Sequence, residues 1–369
     1  MQRTEIEPST FMSHNHEIRT ESLDPRRARR AKISFNARRV PLEAMQRLIH
    51  GRVAPEAGDL VLARVEVVGQ HEKLQLCDGR RSQLFVGDAI VLAYGNRYAP
   101  NQFEALVPTN LEDCHLAAGG GIASLVLERH SRMDDPTAIR PLGLLADGRG
   151  RRLTLADFRL QNDVLPAALP PVLAVVGTSM DSGKTTTAGA VVRGLSRAGL
   201  RVGTAKVTGT GASGDLHHFL DCGAELALDF VDAGLATSYR ASAEQVERCM
   251  RTLVTALVER GCQAIVLEVA DGIYQDETAA LIRSALFRNT VGGLLFASGE
   301  ALSAVAGVRM LEAEGHRVLG ASGVMTASAL AAREARRMGN FPVYTVEDLE
   351  RPELALHLTE RKPTNAVAE

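Results

Sequence analysis

Beyond residue 171 the chain alternates short apolar runs with longer amphipathic stretches. Runs of strand length occupy 172–176, 201–207, 262–269, 294–297, 318–325 and 342–345. Between them, 185–198 has helical periodicity and stops at Gly199, and further helical stretches fall at 300–314 and 328–338. Ser242 followed three residues later by Gln245 is the signature of a capping box, opening a helix that runs through Arg260 and stops at Gly261. Strand and helix in alternation predict an α/β class, with a mostly parallel, doubly wound sheet whose ligand crevice lies beyond the carboxyl ends of its strands.

Upstream the texture differs. Between 58 and 160 the apolar stretches are short and alternating, at 60–68, 73–77, 89–94 and 103–107, and Asp78-Gly79, Gly87-Asp88 and Gly95-Asn96 interrupt them. This spacing predicts hairpins in a smaller, barrel-like β-rich domain over 46–165. Within it the polar stretch 94–102 carries Tyr94 and Tyr98, and Gly119-Gly120-Gly121 follows His115; turn chemistry and close backbone packing account for both more readily than substrate recognition. Pro166, Pro170 and Pro171 mark the boundary to the α/β domain at 166–369. Residues 1–45 are polar and then strongly basic through Pro25-Arg26-Arg27-Ala28-Arg29-Arg30-Ala31-Lys32, which predicts a flexible basic tail. Without interleaved aromatics this run reads as a solvated arm rather than a nucleic-acid-binding segment.

Composition narrows the class. A chain of 369 residues with 45% hydrophobic and 23% charged positions has the material for two folded domains and excludes a globally disordered or fibrous protein. Its apolar runs stop well short of the roughly 20 residues of a membrane span, and a net charge of −2 provides no general attraction to nucleic acid or acidic membrane. Glu5, Glu7, Glu17 and Glu21 argue against a transit peptide. Cys77, Cys114, Cys222, Cys249 and Cys262 form no C-x-x-C pair and follow no apolar leader, so a reducing, cytoplasmic setting is expected. Among 42 basic residues only five are lysine, which singles out Lys184 and Lys206.

Directly after the first α/β strand comes Gly177-Thr178-Ser179-Met180-Asp181-Ser182-Gly183-Lys184-Thr185-Thr186. The two glycines let the backbone turn so that successive N–H groups face a phosphate, and the positive end of the following helix adds to the attraction. Lys184 is positioned for the β- and γ-phosphates, and the Thr185 hydroxyl for Mg²⁺. The expected fold is therefore the P-loop NTPase type, with Gly177 to Thr186 as the nucleotide-binding segment.

Five residues separate Gly177 from Gly183, one more than in the usual loop. In this the chain resembles the P-loop ligase group of dethiobiotin synthetase and the cobyrinic and cobyric acid synthases. The related septum-site and arsenite-pump ATPases carry a second lysine where this chain has Thr178. The resemblance extends to Arg201-Val202-Gly203-Thr204-Ala205-Lys206, implying that Lys206 meets the phosphates and an acyl intermediate. It extends also to the strand ending in Glu268, implying a Mg²⁺ carboxylate there, although Val269 and Asp271 replace two glycines of the family pattern; Asp271 could add a metal ligand. Asp215, in the Gly- and Thr-rich stretch 208–218, corresponds loosely to the second Mg²⁺ carboxylate. His217 and His218 lack a third ligand at zinc spacing, leaving one of them free to touch substrate. Asp229 and Asp232 are open between surface and site. A second resemblance, carried by the P-loop and a D-F-V-x-A-G stretch, is to the DUF1611 family, whose known members are D-glutamate N-acetyltransferases and which implies coenzyme A in place of ATP. Both resemblances cover 172–345 and neither covers the β-rich domain.

These readings converge on a Mg²⁺- and ATP-dependent C–N ligase that phosphorylates a carboxylate or carbamate for attack by an amine. Lys184, Lys206 and Glu268 are its expected catalytic residues, and Thr185, Glu268 and Asp215 its expected metal ligands. The expected partners are a small-molecule carboxylate or amine and, by resemblance, a second copy of the chain in a homodimer, with neither nucleic acid nor membrane. An acyl-coenzyme A-dependent N-acyltransferase and a nucleotide-gated chaperone or regulator are the competing readings.

Overall fold

The computed structural model describes residues 17–360. Its first part contains β1 (Arg19–Ser22), α1 (Pro25–Arg30), β2 (Lys32–Ile33), β3 (Arg47–His50), β4 (Leu60–Val67), β5 (Lys73–Gln75), β6 (Arg81–Gln83), β7 (Ala89–Tyr94), β8 (Arg97–Tyr98), β9 (Phe103–Leu106), β10 (Cys114–Ala118), β11 (Ile122–Arg129) and β12 (Thr137–Ala146). The pairings β12–β4, β4–β7, β7–β11, β11–β10 and β10–β12 close a ring of five strands. Alternation along β4 separates its two faces. Val61, Ala63 and Val65 point inward with Ile90, Leu92, Leu116 and Ile139, while Leu60 and Leu62 point outward.

The second part contains β13 (Val172–Gly177), α2 (Lys184–Arg197), β14 (Val202–Lys206), α3 (Ser213–Asp221), β15 (Leu226–Asp229), α4 (Ala243–Glu259), β16 (Ala264–Glu268), α5 (Asp276–Arg283), α6 (Ala285–Thr290), β17 (Gly293–Ala297), α7 (Ala301–Ala313), β18 (Val318–Ser322), α8 (Ala329–Gly339), α9 (Val346–Leu349) and α10 (Pro352–Thr359). Six strands pair in parallel in the order β15-β14-β16-β13-β17-β18. Successive residues of β13 serve opposite layers: Leu173 and Val175 pack with α2, α3 and α10, whereas Val172, Ala174 and Val176 pack with α4, α5 and α7. This is the doubly wound P-loop NTPase fold, preceded by a smaller β-rich unit. The capping box of Ser242 and Gln245 forms as expected and opens α4.

Two expectations need correction, and one strand was not expected. The flexible tail is not one from Glu17 onward: β1 pairs with β3, β2 pairs with β7, and Arg38 inserts between Asp229 and Asp232 at 2.7 Å from each. The basic composition concealed this because its ion-pair partners lie some 190 residues away in sequence. The rest of that segment, 1–16, lies outside the described residues. Residues 342–345 make a single bridge, Val343 to Ala321, rather than a strand. Residues 226–229 form an edge strand, β15, whose last residue is the Asp229 left open between surface and site.

The two units share a continuous core, in which Leu60, Val91 and Ile122 on the outside of the barrel join Val231, Ala233 and Ala236 of the α/β part. Their backbones approach closely at Gly120 and Gly211. A Cβ on Gly120 would stand 1.9 Å from the Gly211 carbonyl oxygen, so only glycine fits this seam. Among the described residues no helix is long and apolar enough to cross a membrane.

Candidate functional site

β13 delivers the loop at the carboxyl edge of the sheet, where Thr178 N–H is fixed by the Ala297 carbonyl at 3.1 Å. The loop turns through left-handed backbone at Asp181, with φ of 63°, and at Gly183, with φ of 93°. Among the described residues the N–H groups of Gly183, Lys184, Thr185 and Thr186 have no acceptor within the chain, because the helix starts there with no side-chain cap. Four unpaired donors at the positive end of a 14-residue helix form an anion cradle. Lys184 is buried and lies back on the loop, donating from Nζ to the Ser179 carbonyl at 2.7 Å. Burial lowers its pKa below the ordinary lysine value, against the pull of Glu268.

β14 and β16 are neighbours with Lys206 in register with Glu268, so their ends place an ammonium and a carboxylate side by side. Lys206 Nζ pairs with Asp215 Oδ2, carried by the first turn of α3, and lies 3.5 Å from Glu268 Oε1. Burial disfavours the charge on Lys206, but Glu268 and Asp215 outweigh it and hold its pKa above the ordinary value. Burial pushes the Glu268 carboxyl up, opposed by Lys206. The Thr185 hydroxyl lies 3.2 Å from Glu268 Oε1 and 3.4 Å from Asp215 Oδ1. Thr185, Glu268 and Asp215, expected apart in sequence as metal ligands, thus converge.

The donor set fits a hard cation. It consists of oxygens alone, and Glu268 Oε2 is buried without a hydrogen-bond partner. No group of three or more His, Cys, Asp or Glu side chains arranged for a metal occurs among the described residues, so the protein by itself provides a partial shell. That is the usual situation for Mg²⁺ at a nucleotide, where phosphates and water complete the coordination.

Two cavities flank the loop. The smaller, about 330 Å³, lies against Gly183, Thr186 and Thr187 of the loop and α2 and is closed by Val324, Thr345 and Glu347. The larger, about 740 Å³, opens from Met180, Lys206, Asp215 and Asp271, and its far wall is the β-rich unit, with His71, Arg97 and Gln102. Asp271, expected only as an extra metal ligand, faces this cavity, and burial pushes its carboxyl up against the pull of Lys206 and Lys184. The β-rich unit also touches the phosphate loop directly, through Asn101 Nδ2 donating to Asp181 Oδ2 at 2.7 Å.

Other candidates fall outside the site. Asp229 and Asp232 form a buried ion-pair cluster with Arg38, and Arg39 lies 3.4 Å from Asp232. His217 packs where a Cβ on Gly79 would sit, and His218 fills the space above Gly189 beside Cys222, so both histidines are packing residues. Sequence reasoning missed the inward orientation of Arg97, His71, Asn101 and Gln102. The polar stretch 94–102 was the one visible signal for Arg97, Asn101 and Gln102, nothing pointed to His71, and nothing local marks the stretch as facing a loop some 80 residues on.

No protein family matches the chain by its sequence profile, and no curated protein matches it. Solved structures with partial likeness include the signal recognition particle receptor FtsY from Elizabethkingia anophelis, with a TM-score of 0.37 and 16% identity over 56% of this chain and 70% of that one. The kinase domain of Escherichia coli tyrosine kinase ETK gives 0.31 and 15%, over 42% of this chain and 68% of its own. Signal Recognition Particle 54 kDa protein from Aeropyrum pernix K1 gives 0.29 and 20%, over 56% and 53%. None of these comes from the dethiobiotin synthetase or DUF1611 groups. At this level of similarity the nucleotide and the reaction have to be argued from the site itself.

Proposed function

We propose that this chain is a Mg²⁺- and ATP-dependent enzyme that moves the γ-phosphoryl group onto a small carboxylate or carbamate, which an amine then attacks. The observation that carries the reading is the position of the larger cavity. It opens where Lys206 and Asp215 stand, and its far wall is a second folded unit. A switch that answers to a protein partner has no need of a cleft of small-molecule size, lined by side chains of both units, at that end of the phosphate loop.

In this reading the unpaired N–H groups of Gly183 to Thr186 bind phosphate oxygens, and Lys184 leaves the Ser179 carbonyl to reach them. The cavity beside Thr186 and Glu347 takes the nucleoside end, which directs the terminal phosphate toward Lys206. Thr185, Glu268 and Asp215 would hold Mg²⁺, which when bound neutralises phosphate charge. Lys206 offsets the negative charge that builds on the transferring group, and the β-rich wall limits the access of water. The balance is simple: ATP and the acid give ADP and an acyl phosphate, and the amine displaces phosphate and loses a proton.

Heavy-oxygen-labelled carboxylic acids, supplied in pools with amines and Mg²⁺–ATP or Mg²⁺–GTP, test the reading. The expected result is nucleoside diphosphate release stimulated by one pool, with one labelled oxygen transferred to inorganic phosphate, and loss of turnover by about 100-fold or more in Lys184→Ala. Release of free thiol from an acyl-coenzyme A without ADP would establish acyl transfer instead. Slow hydrolysis with solvent oxygen alone, indifferent to every pool, would indicate a switch.

A further inference from the structure

Arg97 sits in β8 at the far wall of the larger cavity and is only 5% exposed. One nitrogen, Nη2, donates to Gln102 Oε1 at 2.6 Å. Nε and Nη1 are buried with no acceptor, and among the described residues no carboxylate lies within ion-pair distance. A buried guanidinium in this state is expensive, since desolvation is compensated only by a counter-ion and satisfied donors. Its orientation is nevertheless fixed. The guanidinium lies 5.9 Å from the centroid of the fully buried Phe103 ring, and β8 is held against β9 with Arg97 opposite Ala105.

Beside it stands His71, whose ring is 5.6 Å from the same Phe103 and whose Nδ1 is also buried without a partner. Burial and the neighbouring Arg97 lower the His71 pKa to about 3, so the imidazole is neutral at physiological pH. Arg97 itself is brought down by burial to about 10 and stays charged. The carboxylate whose charge acts on it is Asp271, which lines the same cavity without a hydrogen bond to it. Lys73 and Arg81 also line the cavity but are exposed, so Arg97 is its buried, oriented cation with unpaired donors, next to one neutral hydrogen-bonding ring.

We infer that Arg97, with His71, is the recognition site for a carboxylate of the small-molecule substrate, and that the β-rich unit is thereby the element that selects the acid. A planar monoanion matches both the guanidinium fork and the single charge of Arg97. Phosphate would bring a second negative charge toward Asp271 and Asp134 of the same cavity, whose other unpaired cations, Lys73 and Arg81, are exposed and screened by solvent. The inference deepens the proposed function and rests on its reading of the cavity as the substrate chamber.

Equilibrium titrations of the full chain with succinate, glutarate and glutamate, set against their uncharged diamides and inorganic phosphate, test it. The expected result is binding of at least one acid but not of its diamide, weakened about 10- to 100-fold in Arg97→Ala. Arg97→Lys should recover part of the loss, and added methylguanidinium should restore acid binding to Arg97→Ala, which a merely structural role would not produce. Mg²⁺–ATP affinity should change by less than about threefold in either variant, against the tenfold that 1.4 kcal/mol represents. Acid binding that is absent from the wild type, unchanged in Arg97→Ala, matched by the diamide, or replaced by Arg97-dependent phosphate binding would overturn the inference. If Mg²⁺–ATP fails to bind while Arg97-dependent acid binding persists, the nucleotide reading falls and the carboxylate site stands.

Discussion

Glu268 ends a strand that is otherwise apolar, with Lys206 and Lys184 on one side of its charge and Asp215 on the other. A carboxyl whose pKa is raised by burial takes up a proton at a higher pH than an ordinary glutamate, whose value is about 4.3. The charged form is the one that can face Lys206 and a cation, so turnover should fall as pH drops through this raised value. The acid limb of the pH–rate profile is therefore expected above the ordinary glutamate range. Lys206, raised in turn by Glu268 and Asp215, should contribute no alkaline limb near neutrality. A profile that is flat down to the ordinary carboxylate range would mean that Glu268 is not required as the anion. Thr185 and Asp215 belong to the same set: each is unexceptional in the sequence, and they matter because their oxygens lie within 3.4 Å of one another.

Among the elements, the end of β15 has the clearest role in stability. Asp229 and Asp232 are both buried, and Arg38 reaches them from the N-terminal segment at 2.7 Å from each. Removing one partner of a buried pair strands the other charge, so Arg38→Ala should destabilise the fold by about 3–5 kcal/mol, measured by urea denaturation. The loss should also depend on pH. Burial raises Asp229 to about 6 despite Arg38, so the native state holds this proton more tightly than the unfolded chain does. The stability linked to Asp229 is then full below the ordinary aspartate value of about 3.9 and lost as pH rises through the raised value. Without Arg38 the shift grows, and the penalty should be greater near neutrality than at about pH 5. An equal penalty at both would place the effect in lost packing rather than in charge.

For the molecule as a whole, the loop and the barrel act on each other through Asn101 and Asp181 and through a shared core. A ligand bound only by the folded state stabilises it by mass action, about 2.7 kcal/mol at a hundred times its dissociation constant. Mg²⁺–ATP should raise the melting temperature of the wild type, and chelation by EDTA should remove most of the gain, because two carboxylates then face the triphosphate with only the lysines between them. Lys184→Ala should show little or no shift. A shift that survives both chelation and Lys184→Ala would place the nucleotide elsewhere on the molecule.

The α/β class, the parallel strands, the capping box of α4 and the phosphate loop are determined by the sequence alone. Each depends on local chemistry: alternation and run length for the strands, a side chain three residues from its partner for the cap, and glycine, lysine and threonine in consecutive order for the loop. Lys206 and Glu268 were likewise visible as charged ends of apolar strands. Tertiary structure decided what surrounds them. It made an anchored segment of a run that its basic composition marked as a tail, because Asp229 and Asp232 neutralise Arg38 from a distant strand end. It also turned a polar hairpin into the far wall of a cavity, where Arg97, with Nε and Nη1 buried and unpaired, lines the same space as Lys206 and Asp215 of the α/β part. Burial and pairing between remote segments depend on the packing of two sheets, and no local pattern of residues encodes that distance.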